Sequence, residues 1–151
     1  MAAFNSSNPS DSPTAAEVEI INFQLGEAEF ACDLGQASSF ALYQEIQDRP
    51  GLLISDLQQS LFSRPHPLQP DTRMILWQGG GKTHAFPVTK INGIFKVPSE
   101  RIFSPPPILR ESISHPGLIG FALVKQQVVL LLDLEKTIAY LANQTDDAGK
   151  N

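Results

Sequence analysis

From Val18 onward, apolar and polar positions alternate along the chain. In V-E-I-I-N-F-Q-L, residues Ile21, Phe23 and Leu25 fall on one side of an extended backbone, the period-two pattern of a half-buried strand. G-E-A-E reverses the chain and F-A-C-D-L resumes the strand pattern, which together predict a hairpin. Between Gly35 and Pro50 the pattern weakens, and F-A-L-Y-Q-E-I fits either a helical turn or two or a poor strand. After the R-P-G turn come a short strand, L-L-I-S, and a short helix, D-L-Q-Q-S-L-F, with Asp56 placed to accept from free N–H groups at its start. S-R-P-H-P-L-Q-P-D is a proline-rich connector.

A second block opens at Thr72. R-M-I-L-W and T-H-A-F-P-V-T-K-I read as strands on either side of Gly79 to Gly81, and I-F-K-V alternates again. P-S-E-R-I-F-S-P-P-P-I-L is irregular. G-L-I-G-F-A-L-V, K-Q-Q and V-V-L-L-L-D-L-E-K-T-I-A-Y-L then give strand, tight turn, strand and helix. The two blocks echo each other. I-S-D-L-Q-Q-S-L at 54–61 aligns with L-L-D-L-E-K-T-I at 131–138, a strand running into Asp-Leu and a helical turn in each. The pattern predicts a mainly β protein of two related subdomains, 18–64 and 72–142, each closed by a short helix. Small barrels suit such a chain because closure removes exposed strand edges. Residues 1–17, rich in Ser, Asn, Pro and Ala, and residues 143–151 read as disordered tails.

The Q-G-G-G-K-T stretch invites a nucleotide reading. A phosphate loop of the G-x-x-x-x-G-K-[ST] type needs glycine at position 76, where the chain has Leu76. It also needs a helix after the motif, where the chain has the strand-like H-A-F-P-V. Hairpin glycines explain the run better, because a two-residue turn needs positive φ.

Charge narrows the field further. The formal net charge of -5 falls largely in the tails, and between residues 18 and 142 there are 12 acids and 10 bases. That balance argues against nucleic acid, which selects basic faces. Cys32 is the single cysteine, which fits a reducing, cytoplasmic setting. The longest strongly apolar run, Val128 to Leu132, is too short to span a bilayer, so no direct membrane insertion is expected. His66, His84 and His115 lack metal-ligand spacing and are expected at the solvated surface. Cys32 is expected to be a buried, inert thiol, Asp56 and Asp133 helix caps, Trp77 a barrel-wall residue, and Pro105 to Pro107 a rigid connector. No residue set supports catalysis, and no cofactor or metal site is expected. The residues alone point to a β-rich binding module.

The ordered series R-M-I-L-W-Q-G-G-G-K-T-H-A-F-P-V-T-K-I-N-G-I-F-K-V-P-S-E-R-I-F-S-P-P-P, then I-S-H-P-G-L-I-G-F-A-L-V-K-Q-Q-V-V-L-L-L-D-L-E-K-T-I, resembles the CheW-like domain. I-N-F-Q-L-G-E-A-E-F-A-C-D-L is similar to that family's first hairpin. The resemblance covers roughly residues 18–142. It implies two five-stranded SH3-like barrels packed side by side, the first of them incomplete here. It also implies a non-catalytic adaptor that couples the cytoplasmic tips of chemoreceptors to the regulatory domain of a histidine kinase, recruited to membrane-associated arrays. A divergent module serving another partner is the alternative within that resemblance.

Two departures from the family pattern stand out. The usual hairpin ending in Asn-Leu-Arg-Gly is reduced to A-L-Y-Q-E-I-Q-D-R-P-G, so that Arg49 and Gly51 look like its remnant. The acid of the usual Val-Asp-x-Val is replaced by Thr89. The resemblance thus points to Arg49 as a partner-binding residue. The alternating stretch Ile91, Ile94, Phe95 and Val97 is the second candidate. Its side chains either fill the barrel or meet a partner.

Overall fold

The computed structural model describes residues 16–105 and 115–149. Ten strands are described: β1 (Glu17–Leu25), β2 (Ala28–Asp33), β3 (Ser39–Leu42), β4 (Leu52–Ile54), β5 (Arg73–Gly79), β6 (Lys82–Val88), β7 (Lys90–Pro98), β8 (Ile102–Phe103), β9 (Leu118–Val124) and β10 (Gln127–Leu132). The helices are α1 (Tyr43–Ile46), α2 (Leu57–Phe62) and α3 (Leu134–Gly149), with single 3-10 turns at Leu34–Gln36 and Ser99–Arg101.

The strands form two sheets. One has six strands in the order β7-β1-β2-β10-β9-β8, the other four in the order β3-β5-β6-β4. The expected mainly β, two-barrel architecture is thus present, but the strands divide six and four instead of five and five. Nor do the sheets follow the expected boundary in the connector. The first hairpin, β1-β2, joins strands from the far end of the chain, and β5-β6 joins β3 and β4. Each hairpin recruits its neighbours from the other side of the connector.

The core explains why several strands are apolar on consecutive residues. Ile20, Ala31, Val97, Ala122, Val124, Val129 and Leu131 fill the inside of the six-stranded sheet. Ile46, Met74, Leu76 and Ala85 form a smaller core inside the four-stranded one. A third and larger cluster lies between them, with Ile21, Phe23, Phe30, Leu57, Ile75, Phe86, Val88, Leu132 and Leu134 among its members. Strands β1 and β5 bury both faces: Ile20 and Met74 point into their own barrel, Ile21 and Ile75 into the shared layer. Even Asn22 is buried, its amide donating to the Phe30 carbonyl at 2.9 Å.

The internal echo is structural. β10 runs parallel to β2 and leads through Asp133 into α3, while β4 runs parallel to β6 and leads through Asp56 into α2. Asp56 Oδ1 accepts from the Gln59 N–H and Asp133 Oδ1 from the Lys136 N–H, both at 3.0 Å. Each aspartate thereby satisfies an N–H that the first turn leaves unpaired. Leu57 and Leu134, one residue on, are both fully buried in the shared layer.

Three local expectations need correction. Residues 35–50 are both a strand and a helical turn: β3 pairs with β5, and Glu45 then accepts from the Leu42 N–H at 2.7 Å to start α1. The strand ladder starts at Glu17, paired with Pro98, so that residue is no part of a tail, while residues 1–15 lie outside the described residues. Residues 143–149 continue α3 as helix. No proline or glycine interrupts them before Gly149, and extending a nucleated helix costs little. Pro106 and Pro107 of the expected connector lie outside the described residues.

Candidate functional site

The Gly80–Gly81 pair is a hairpin turn. Gly79 pairs with Lys82 across it, and the two central glycines have φ of 60° and 76°. That is the two-residue turn whose twist matches a hairpin and which demands positive φ twice. Strand β6 follows immediately, so no helix N-terminus faces the loop. Trp77 is a half-buried wall residue whose ring lies over Gly79 and meets His84 edge-on, with centroids 5.5 Å apart.

The histidines divide. His66 is half-buried, with its N–H bound to Asp56 Oδ2 at 2.8 Å. His84 is half-buried, and its Nδ1 has no hydrogen-bond partner among the described residues. His115 is buried, contrary to the surface position expected of it. Its Nδ1 accepts from the Gly117 N–H at 3.1 Å, and its Nε2 lies 3.0 Å from the Ser60 hydroxyl. The ring also packs on Tyr140 at 4.8 Å. Burial holds the His115 pKa below its ordinary value, and burial with the Lys82 charge does the same for His84. With Nδ1 accepting, the neutral ring donates from Nε2 to Ser60, so it cannot take that hydroxyl's proton. Cys32 is buried, and desolvation, then the Asp33 charge, pushes its thiol up to about 12. Such a thiol stays protonated and unreactive. Among the described residues no group of His, Cys, Asp or Glu is placed to hold a metal ion.

The concavity suited to binding lies between the sheets. A groove of about 530 Å³ is lined by Ile21 of β1, Phe40 of β3 and Ile91, Gly93 and Ile94 of β7, with Arg73 and Lys90 among its lining residues. Phe40 is 41% exposed and Ile94 52%. Arg73 and Lys90 are exposed and make no ion pair with a described residue. An apolar floor beside two exposed cations suits an apolar protein segment carrying a carboxylate.

A bulge builds this groove. Between Asn22 and Phe23 of β1 the register with β7 shifts, so Asn22 faces Gly93 and Phe23 faces Ile91. The extra residue, Asn92, reaches Glu29 Oε1 at 3.2 Å. Gly93 takes φ of 148°, a conformation that side chains disfavour. Bulges re-aim side chains, and here the alternation expected across Ile91 to Val97 is broken into different environments. Ile91 packs against the shared layer and also lines the groove. Ile94 is exposed in the groove. Phe95 packs partly buried on the six-stranded core, with Lys125 Nζ 4.9 Å above its ring, and Val97 is buried in that core. Of the four, the groove therefore takes Ile91 and Ile94, and the core takes Val97 and most of Phe95. Arg49 is exposed in the turn between α1 and β4, outside the groove lining. Phe40, Arg73 and Lys90 escaped the sequence reading. The signal for the last two was a cation at the first residue of an apolar strand, in R-M-I-L-W and K-I-N-G-I.

Thr89 has a structural use. Its hydroxyl accepts from the Gly26 N–H at 2.7 Å, and its own N–H donates to the Gln24 carbonyl at 2.8 Å. It ties the β1-β2 turn to the β6-β7 connection.

Two half-barrels around a shared apolar layer, with an open groove between them, define a binding module. The family model of the CheW-like domain matches residues 52–141, and the chain belongs to that family. At the level of the family this is a non-catalytic scaffold or adaptor of chemotaxis signalling. The crystal structure of the scaffolding protein TtCheW from Thermoanaerobacter tengcongensis is similar in fold: TM-score 0.60 at 16% identity, covering 83% of this chain and 88% of that one. No curated protein matches the sequence. No helix among the described residues is long and apolar enough to cross a membrane.

Proposed function

We propose that this chain is a cytoplasmic adaptor that couples chemoreceptor tips to the regulatory domain of a histidine kinase, and that the groove between the sheets holds one of these partners. The observation that carries the reading is the combination of exposed Phe40 and Ile94 with the exposed cations Arg73 and Lys90 in one groove. Exposed apolar side chains beside charge are the composition of an interface centre with its rim. Family membership supports a protein partner over a small molecule. The same membership supports recruitment to membrane-associated arrays through partners, with no insertion of this chain.

The test is titration calorimetry of the full chain against a chemoreceptor cytoplasmic-tip fragment and a histidine-kinase regulatory domain from the same organism. At least one should bind. Ile94→Ser and Arg73→Glu should each weaken that binding about tenfold or more with an unchanged thermal midpoint. Binding that survives both substitutions would remove the groove from the account. Binding to neither partner would favour a module serving some other protein.

A further inference from the structure

The repeat within the fold is unequal, and the inequality falls on one strand. The series β7-β1-β2-β10 corresponds to β3-β5-β6-β4: an antiparallel neighbour, a hairpin, then a parallel strand leading into an Asp-capped helix. Beyond β10 the six-stranded sheet continues with β9, antiparallel from Gln127↔Val124 to Leu132↔Leu118, and then β8. Beyond β4 no described strand follows. The Thr83 N–H donates to the Gly51 carbonyl and the Ser55 N–H to the Ala85 carbonyl, so residues 51, 53 and 55 face β6. The main-chain groups of Leu52 and Ile54 therefore point outward, and they have no partner among the described residues. Ile54 shares a face with Leu52, which packs on the four-stranded core, yet Ile54 is 38% exposed, and Leu53 on the opposite face is 42% exposed. G-L-L-I-S carries none of the lysines, prolines or bulges that blunt a free edge.

We infer that the outer edge of β4 accepts an extended apolar strand of a partner protein, running antiparallel to Leu52–Ile54 and ending in an acidic residue. The direction follows from the place β9 takes on β10. The acid follows from charge. The C-terminal end of an antiparallel strand lies beside the start of β4, where Arg49 and Lys82 are exposed and make no ion pair with a described residue. Asp48 is the one acid in the sequence from Ile46 to Ile54, against Arg49 next to it and Lys82 at the start of β6, leaving a net positive end. Main-chain bonds supply affinity in such strand addition and alternate side chains supply selectivity. This surface is separate from the groove between the sheets, so either can fail without the other.

The probe is the chain's own edge-covering sequence with two added acids, acetyl-L-I-G-F-A-L-V-E-E, titrated into the full chain and followed by amide hydrogen exchange. The Ile54 amide should exchange freely in the unliganded chain and become protected on saturation. Ile54→Pro removes an outward donor without touching the β4-β6 ladder, so it should weaken binding at least tenfold with little change in thermal midpoint. Ile54→Lys, which keeps the donor but charges the edge, should weaken it too. Replacing the two glutamates by lysines should weaken it several-fold. An Ile54 amide already protected in the unliganded monomer would overturn the inference, as would binding indifferent to Ile54→Pro. A dimer in sedimentation that Ile54→Pro dissolves would also overturn it, assigning the edge to a second copy of this chain.

Discussion

His115 Nε2 lies 3.0 Å from the Ser60 hydroxyl, 55 residues earlier in the chain. The bond ties the segment before β9 to helix α2, and so joins the six-stranded side of the molecule to the four-stranded side. His115 is buried, Tyr140 covers one side of its ring, and its Nδ1 is engaged by the Gly117 N–H. Protonation would place a second N–H against that donor in a site with little water.

A pH dependence follows. The folded pKa of His115 is held below its ordinary value by burial, so the folded state disfavours the proton that the unfolded chain takes up near pH 6.5. Stability from this group is complete above that pH and is lost as pH falls through the lowered folded value. His84 is shifted the same way and adds to the slope. The thermal midpoint should fall between pH 7.5 and 5, and His115→Gln should flatten part of that fall. A midpoint that does not move over this range would mean that neither ring resists protonation.

The two Asp-Leu junctions predict matched energetics. Leu57 and Leu134 are each fully buried in the shared layer, so either Leu→Ala substitution should cost about 2–5 kcal/mol. Asp56→Ala and Asp133→Ala should each cost about 0.5–2 kcal/mol. Urea unfolding of the four variants checks this. A large effect at one junction with none at the other would mean that the echo is one of sequence only.

The β9-β10 turn stores strain. Val124 pairs with Gln127, leaving Lys125 and Gln126 with φ of 50° and 66°. A left-handed conformation costs a non-glycine residue about 1–2 kcal/mol, while glycine frees the unfolded chain by about 0.4–1 kcal/mol. Gln126→Gly should therefore raise stability by about 0.5–1 kcal/mol. Lys125 is the worse choice because its ammonium sits over the Phe95 ring. An unchanged or lower urea midpoint for Gln126→Gly would contradict the strain.

Local signals were legible where one residue decides one contact. Asp56 and Asp133 announce their caps, and Gly80 and Gly81 their turn. Ile21, Phe23 and Leu25 announce the buried face of β1. The partition into sheets was not legible. It depends on β1-β2 pairing with strands more than sixty residues away, and no local pattern encodes that choice. Ile20 and Asn22 were missed because β1 is covered on both faces, which replaces alternation with a continuous buried run. The surface position expected of His115 failed because its burial is set by α2 and α3, which come together only in the fold. The groove was half visible: Ile91 and Ile94 lay in the stretch singled out, but the bulge at Asn92 that separates them from Phe95 and Val97 is a property of the pairing.

That bulge makes the last prediction a comparison of neighbours. Ile94 is half exposed in the groove, whereas Phe95 packs on the core of the six-stranded sheet. Ile94→Ala should leave the unfolding free energy within about 0.5 kcal/mol, as surface changes do, and weaken partner binding. Phe95→Ala should cost about 2 kcal/mol of stability, less than the 3–5 of a fully buried phenylalanine, because the ring is only partly covered. Its effect on binding should follow the loss of folded protein and vanish at temperatures well below its midpoint. Val97→Ala, fully inside, should act on stability alone. Unfolding and calorimetric binding measured on all three variants decide the matter. If Phe95→Ala abolishes binding while the fold stands, the partner reaches past the bulge onto the Lys125–Phe95 pair, and the groove as drawn ends too early.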